Sequence, residues 1–492
     1  MLGAPVAGGL VLYVKKQMWC PVASSLRFNK PLSMVACLSS SSSSSTTTIT
    51  SASPLQEAAA SIPAIPKVIL KKGKTQLFRN GSPMVYSRAI DRIVGRPPPK
   101  TGDMVLVTDG SEKPIGWGLY NSVSMFSVRI MQLEDDARRD PSCVFNMERL
   151  LDSRLEAAVN LRKYLGLPSE DTNAFRLVNS EGDRHFLCRL SGLVVDVFND
   201  CAVVASSAAW VEKYRPTIEL LLGKVNTINH TCWRPSVDIL KEEGLDLEAN
   251  NHELSIPDDR VKVHLLFYCK YHLKCQLTFQ VKENGIYYTV SLDGQKTGFY
   301  ADQRESRSLV TKISKNHRVL DLCCYSGGFA LNAASGGAAA VVGVDSSSAA
   351  IELAKENIFL NSLDHDRISF LKEDAAEFMK SAASKKDSWD LVILDPPKLA
   401  PNRKVLQRAS GMYRSLNCLA MRVTREGGLL MTCSCSGAMT QSGTFLQVLQ
   451  GAASMAGRRI TVLKKAGAAA DHPIDPSYPE GSYLTNYLLR VL

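Results

Sequence analysis

The sequence predicts a multi-domain α/β protein. A small N-terminal β domain leads into a middle α+β domain, and a C-terminal, doubly wound, Rossmann-like sheet completes it. Three observations predict this. Short apolar runs alternate with helical periodicities from residue 319 onward, the pattern of a sheet wrapped by crossover helices. Short β-like runs punctuated by Gly-Asp and Asp-Gly turns fill residues 67–130. A long amphipathic helix, with Met147, Leu150, Leu151, Leu155, Ala158, Leu161 and Leu165 on one face, opens the region between them.

The pivotal stretch is Val319–Phe329, VLDLCCYSGGF. An apolar run ends in Asp321. A turn with Gly327 and Gly328 follows, and then a helical pattern from Ala330 to Ser335. Such a strand, loop and helix start is where an open α/β sheet holds a nucleotide-like ligand, although the G-x-G-x-x-G dinucleotide fingerprint is absent. The next run, Ala339–Val344, ends in Asp345, placed to accept the hydroxyls of a ribose. Ile368–Leu371 is followed by Glu373-Asp374, where a carboxylate can reach an adenine amino group. Leu391–Leu394 ends in Asp395-Pro396-Pro397-Lys398. Four strands that deliver acids to one sheet edge point to S-adenosylmethionine as cofactor and to methyl transfer. Tyr325, Gly327, Gly328 and Phe329 in the loop join the acids as candidate cofactor contacts. Further strands are expected at Leu429–Thr432, Ile460–Leu463 and Tyr483–Val491, and helices at Ser347–Asn361, Met412–Glu426 and Thr440–Met455. Throughout, the strands are expected to run parallel.

Bulk composition sets bounds. The chain has 492 residues, 45% of them hydrophobic, and a formal charge of +10. That fits several globular domains and makes a polyanionic partner plausible. No apolar run reaches membrane-spanning length, so no membrane partner is expected. The thirteen cysteines form no repeated C-x-x-C pairs, which argues for reduced thiols.

Residues 1–56 contain no Asp or Glu, carry Lys15, Lys16, Arg27 and Lys30, and include the hydroxyl run Ser39–Thr48. This is the composition of an organelle transit peptide, with plastid favoured over mitochondrion by abundant serine and sparse arginine. Residues 57–66 read as a linker. Residues 67–145 form the small β domain. Its opening, 67–103, holds nine basic side chains against Asp91 and Asp103, a balance of 9 − 2 = +7. Lys71, Lys72, Lys74, Arg79 and Arg88 are its candidate RNA contacts. Residues 146–285 make the middle domain and 286–492 the sheet domain. In 264–280, His264, Cys269, His272 and Cys275 invite a zinc reading, but their spacing fits no familiar site, so no metal is expected. Within 292–307, Asp302, Gln303 and Arg304 are placed to cover the cofactor as a lid.

The chemistry turns on the acceptor. Amine methylation commonly pairs Asp-Pro-Pro with an aromatic that stacks on the base, and here Lys398 stands in that place. Carbon 5 of cytosine becomes nucleophilic only after a thiolate adds to carbon 6. Cys435, just beyond the fifth strand and beside Asp395, suits that step, with Cys433 as rival. Lys398 can lower the thiol's pKa. Cys323 and Cys324 read as packing residues. No base for the carbon-5 proton is evident, and His472 is a weak candidate.

The segments QKTGFY (295–300), Asp302-Gln303-Arg304, DPPK (395–398), SCSG (434–437), ADHP (470–473) and YPEG (478–481), taken with the first-strand loop, resemble the PUA-containing ribosomal RNA large-subunit methyltransferases of the RlmI type. The likeness covers roughly residues 67–492, and Gly116-Trp117-Gly118 matches the RNA-binding PUA module. It implies an RNA cytosine-5 methyltransferase of an organelle ribosome, with Cys435 as nucleophile, Asp395 and Lys398 beside it, and ribosomal RNA as partner. Homodimerisation stays open. A nitrogen-methylating enzyme and a non-catalytic ribosome assembly factor are the alternatives. Relatives of this type lack counterparts of 185–189 and 264–280, which read as extra segments.

Overall fold

This computed structural model describes residues 53–62, 65–183, 190–246, 278–291 and 297–492. Residues 1–52 of the transit-peptide expectation, the 185–189 insertion, Gln295, Lys296 and the four zinc candidates lie outside the described residues.

The first sheet contains β1 (Lys67–Leu70), β2 (Met84–Tyr86), β3 (Ile90–Val94), β4 (Met104–Thr108), β5 (Pro114–Tyr120) and β6 (Phe126–Leu133), in the order β2-β6-β5-β4-β1-β3. β1 and β4 pair in parallel, and the other neighbours are antiparallel. Val68, Leu70, Val105, Val107, Val128 and Ile130 fill its core. The last residues of the expected transit peptide and the start of the expected linker are structured: Pro54–Ser61 is a helix capped by Ser53, and Leu55 is buried in a cluster with Trp117.

The middle domain has β7 (Ala174–Asn179), β8 (Leu193–Phe198), β9 (Cys201–Ser206) and β10 (His230–Pro235), ordered β10-β9-β8-β7, with the expected long helix observed at Met147–Tyr164. β11 (Thr278–Glu283) and β12 (Ile286–Ser291) form a hairpin. The domain boundary expected at 285/286 falls in its turn, and residues 278–280, the end of the segment read as extra, lie in this paired strand.

The last sheet comprises β13 (Arg318–Leu322), β14 (Ala340–Asp345), β15 (Ile368–Lys372), β16 (Trp389–Leu394), β17 (Thr424–Ser434), β18 (Ile460–Ala466) and β19 (Thr485–Val491), in the order β15-β14-β13-β16-β17-β19-β18. The first five strands are parallel. β19 runs antiparallel between β17 and β18, so the sheet is mixed rather than wholly parallel. Alternating residues feed two cores. Val319, Val341, Leu391, Ile393 and Met431 pack on one face, and Leu320, Leu322, Val344, Val392, Leu394 and Leu430 on the other. Burial on both faces explains why these strands read as unbroken apolar runs. Strand order reverses about β13, so β14 and β16 flank it and a crevice opens beyond their C-terminal ends.

Candidate active site

The loop after β13 is wound tightly. Cys323, Tyr325 and Gly327 have φ of 61°, 50° and 82°. Two of the three are not glycine, a backbone cost of roughly 1–3 kcal/mol each, and such strain clusters at ligand-binding loops. At Gly327 a Cβ would approach Phe370 to 2.7 Å, so both conformation and contact require glycine.

The crevice is a cleft of about 1260 Å³. Its walls include Gln303, Tyr325, Gly328, Phe329, Asp345, Asp374, Asp395, Lys398 and Cys435. Asp345 is oriented by two backbone donors: Tyr325 N donates to Oδ2 and Ser347 N to Oδ1, each at 2.9 Å. Asp374 caps the helix Ala375–Ser384, accepting from Ala376 N and Glu377 N through Oδ1 alone. Gln303 Nε2 donates to Asp395 Oδ2 at 3.1 Å, and Asn486 Nδ2 donates to Gln303 Oε1 at 2.7 Å. The acid after β16 is thus fixed from β19.

Cys435 directly follows β17, half-buried, with Sγ 3.9 Å from the Pro396 carbonyl. β16 and β17 pair in register at Leu394 and Thr432, which brings the thiol beside Asp395-Pro396. Its flanking serines are tied down. Ser434 and Ser436 both bond the Tyr413 hydroxyl, and Ser436 Oγ also accepts from Ala400 N. Cys433 is fully buried within β17 and does not line the cleft. Burial pushes its thiol well above the ordinary range, which disables it as a nucleophile.

Several expected site residues stand elsewhere. Asp321 is wholly buried, absent from the cleft wall, and accepts from Ala330 N at 2.9 Å. Burial raises its carboxyl far above the usual value, and Oδ1 has no partner among the described residues. It braces the loop against the helix that follows. Gly327 shapes the turn without reaching the wall. Asp302, Gln303 and Arg304 are buried, at 5%, 3% and 8% exposure, and so are not a lid. Asp302 and Gln303 are wall, whereas Arg304 grips Asp471 through two bonds of 2.7 and 3.0 Å. His472 is also buried off the wall, with Nδ1 3.1 Å from Asp471 Oδ1, so it cannot reach a substrate in the cleft. In the first sheet Lys71, Lys72, Lys74, Arg79 and Arg88 are all exposed, and Arg79 pairs with Asp109 at 2.9 Å. Tyr300, Arg307, Arg408 and Met412 also line the cleft. Sequence reasoning missed them because they lie outside the strand-end acids it relied upon.

The Arg304–Asp471–His472 cluster makes a pH prediction. Burial alone would raise the Asp471 carboxyl, but His472 and Arg304 hold it well below its ordinary value. A depressed carboxylate stabilises the fold above the unfolded pKa of about 3.9 and loses that contribution as pH falls below it. The unfolding midpoint therefore drops on acidification through that range. Asp471→Asn should be less stable at neutral pH and show a flatter acid limb, checked by urea melts across pH.

Residues 269–458 match the family described as S-adenosylmethionine-dependent methyltransferase, and residues 68–133 match a PUA-like domain. The ribosomal RNA large subunit methyltransferase I of Alteromonas mediterranea is 35% identical over 426 residues, covering 86% of this chain and 98% of that one. The enzymes of the same name from Tolumonas auensis and Escherichia coli K12 are 32% and 30% identical, each covered over 99% of its length. The chain belongs to the ribosomal RNA large subunit methyltransferase I family. The same architecture recurs in SMU.776 complexed with SAH, at TM-score 0.67 and 20% identity over 86% of this chain and 99% of that one.

As a member of this family the protein is an S-adenosylmethionine-dependent methyltransferase. The cleft suits that cofactor. Asp345 and Asp374 offer carboxylate acceptors at successive strand ends, the apolar Phe329, Leu353 and Ala376 supply a surface for a flat ring, and the volume exceeds that of a nucleoside with an amino-acid tail. Asp345→Ala should weaken S-adenosylmethionine binding by roughly 10–100-fold, since charge-assisted hydrogen bonds contribute about 1.5–3 kcal/mol. Isothermal titration calorimetry checks this, and unchanged affinity would remove Asp345 from the cofactor site.

Proposed function

We propose that this enzyme converts a cytosine of large-subunit ribosomal RNA to 5-methylcytosine through a covalent adduct on Cys435. The observation that carries the reading is the half-buried Cys435 thiol on the same cleft wall as Asp345, Asp374 and Asp395. Bound S-adenosylmethionine supplies an electrophilic methyl group. The Cys435 thiolate adds to carbon 6 of the base, and the electron pair of the 5,6 double bond becomes nucleophilic at carbon 5. Asp395, held by Gln303, supports the ring nitrogen edge while carbon 5 takes the methyl. Loss of the carbon-5 proton then re-forms the double bond and expels the thiolate. Lys398, exposed on the cleft wall, adds positive charge that favours the thiolate.

The exposed Lys71, Lys72, Lys74 and Arg88 of the PUA-like sheet suit phosphate contacts that deliver the RNA. The acid-free first 56 residues support action in an organelle, the chloroplast ahead of the mitochondrion. Bisulfite sequencing of organelle ribosomal RNA with and without this protein tests the whole reading. One large-subunit cytosine should lose its protection when the protein is absent, and an unchanged pattern overturns it.

A further inference from the structure

The cleft has a rim whose charge, Lys398 apart, the chemistry above does not use. From Pro396 to Arg425 the chain carries Lys398, Arg403, Lys404, Arg408, Arg414, Arg422 and Arg425 and neither Asp nor Glu. The segment leaves β16 at the cleft, makes a short 3-10 turn at Arg403–Val405, and enters the helix Leu406–Val423. Arg408, Gly411, Met412 and Ser415 all line the cleft. Their spacing of i, i+3, i+4 and i+7 places them on one helix face.

Three features separate this rim from an ordinary solvated surface. First, Arg403, Lys404, Arg408 and Arg414 are exposed, and none makes an ion pair among the described residues. In the PUA-like sheet, by contrast, Lys67, Arg79 and Arg92 are each neutralised by a neighbouring acid. Second, Gly411 sits inside a helix, where glycine is disfavoured relative to alanine. A Cβ there would meet nothing within 4 Å, so the fold itself gives no reason for glycine. Third, Met412 is 45% exposed on the same face, an apolar side chain left bare between cations.

Unpaired cations, a bare apolar side chain and a stretch of helix with no side chain in the way suit a nucleic-acid strand passing close over the helix. We propose that this face is the rim that grips the RNA backbone beside the target nucleotide. Arg403, Lys404 and Arg408 take phosphates there, and Gly411 lets the strand approach the helix. The inference rests on the RNA-methylating reading above and names where on the enzyme its substrate is held.

The test uses the full-length protein and an unmodified transcript of large-subunit ribosomal RNA. Arg403→Gln, Lys404→Gln and Arg408→Gln are combined, and RNA binding is measured against salt concentration. Single strands lose about 0.7 in log–log salt slope per phosphate contact. The triple variant should therefore bind on the order of tenfold or more weakly at low salt, with a slope shallower by about 2. Its melting temperature should match wild type, which shows that the domain still folds. Gly411→Ala, which fills empty space and favours helix, should bind RNA at least about threefold more weakly while melting no lower than wild type. Wild-type RNA affinity and salt slope in the triple variant, with the transcript still methylated, overturn the rim and leave the proposed function standing. A wild-type chain that neither binds nor methylates the transcript overturns the function and the rim with it.

Discussion

Cys435→Ala abolishes methyl transfer to RNA, with a loss of at least about 10³-fold in turnover. The expectation follows from chemistry rather than packing. Carbon 5 of a pyrimidine does not attack a sulfonium methyl unaided, and among the described residues no other thiol near the cleft can stand in. Cys433 is buried inside β17. Cys323 and Cys324, on the loop and the cleft wall, are held as neutral thiols by burial and by the acids nearby, Asp345 among them. Because Cys435 is half-exposed at a strand end, its truncation removes little packing, and S-adenosylmethionine affinity should stay within about threefold of wild type. Cys433→Ser should keep methylating. Transcripts carrying 5-fluorocytosine, which cannot lose its carbon-5 substituent as a proton, should cross-link to wild type and to Cys433→Ser but not to Cys435→Ala. Turnover by Cys435→Ala within tenfold of wild type would rule out the covalent route.

Glu283→Ala destabilises the methyltransferase domain by about 3–5 kcal/mol. Arg307 Nε and Nη2 donate to the Glu283 carboxylate at 2.6 and 2.9 Å, with side-chain exposures of 5% and 0%. Nη2 also donates to the Tyr300 carbonyl at 2.6 Å, and the guanidinium lies 4.9 Å from the Phe299 ring centroid. Removing the carboxylate strands a cation in the interior, which costs far more than the pair contributes over an apolar substitute. Since Arg307 and Tyr300 both line the cleft, S-adenosylmethionine affinity should fall with stability. A Glu283→Leu, Arg307→Met double variant should recover most of the lost stability in urea melts. A loss below about 1 kcal/mol for Glu283→Ala would mean that water reaches the pair.

What the sequence disclosed follows from which physical signals are local. β13 to β16 were legible because each is an apolar run closed by an acid. The direction of β19 was not, because side chains alternate with period two in parallel and antiparallel strands alike. β2 and β3 were hidden by their shortness and by an exposed face in Ile90–Val94. The helix expected from Met412 begins at Leu406, since its first two turns carry Arg408 and Gly411 rather than an apolar stripe. The choice between Cys433 and Cys435 depends on depth. Two residues apart they share an orientation, yet one is paired to Asn486 inside the sheet and the other lies past its edge. Arg304 and His472 were misplaced for a related reason: their partner Asp471 is 167 residues from Arg304 in sequence, and no local pattern reports a buried charge cluster assembled from so far apart.

The insertion of β19 between β17 and β18 has a consequence for biosynthesis. Asn486 on that strand anchors Gln303, which in turn anchors Asp395. The five parallel strands all precede β19 in the chain, so before β19 is made they can pair with one another while the β17 edge stays bare and Asp395 lacks its anchor. The β17 edge is therefore unpaired until β19 docks, an edge that nascent-chain chaperones are suited to shield.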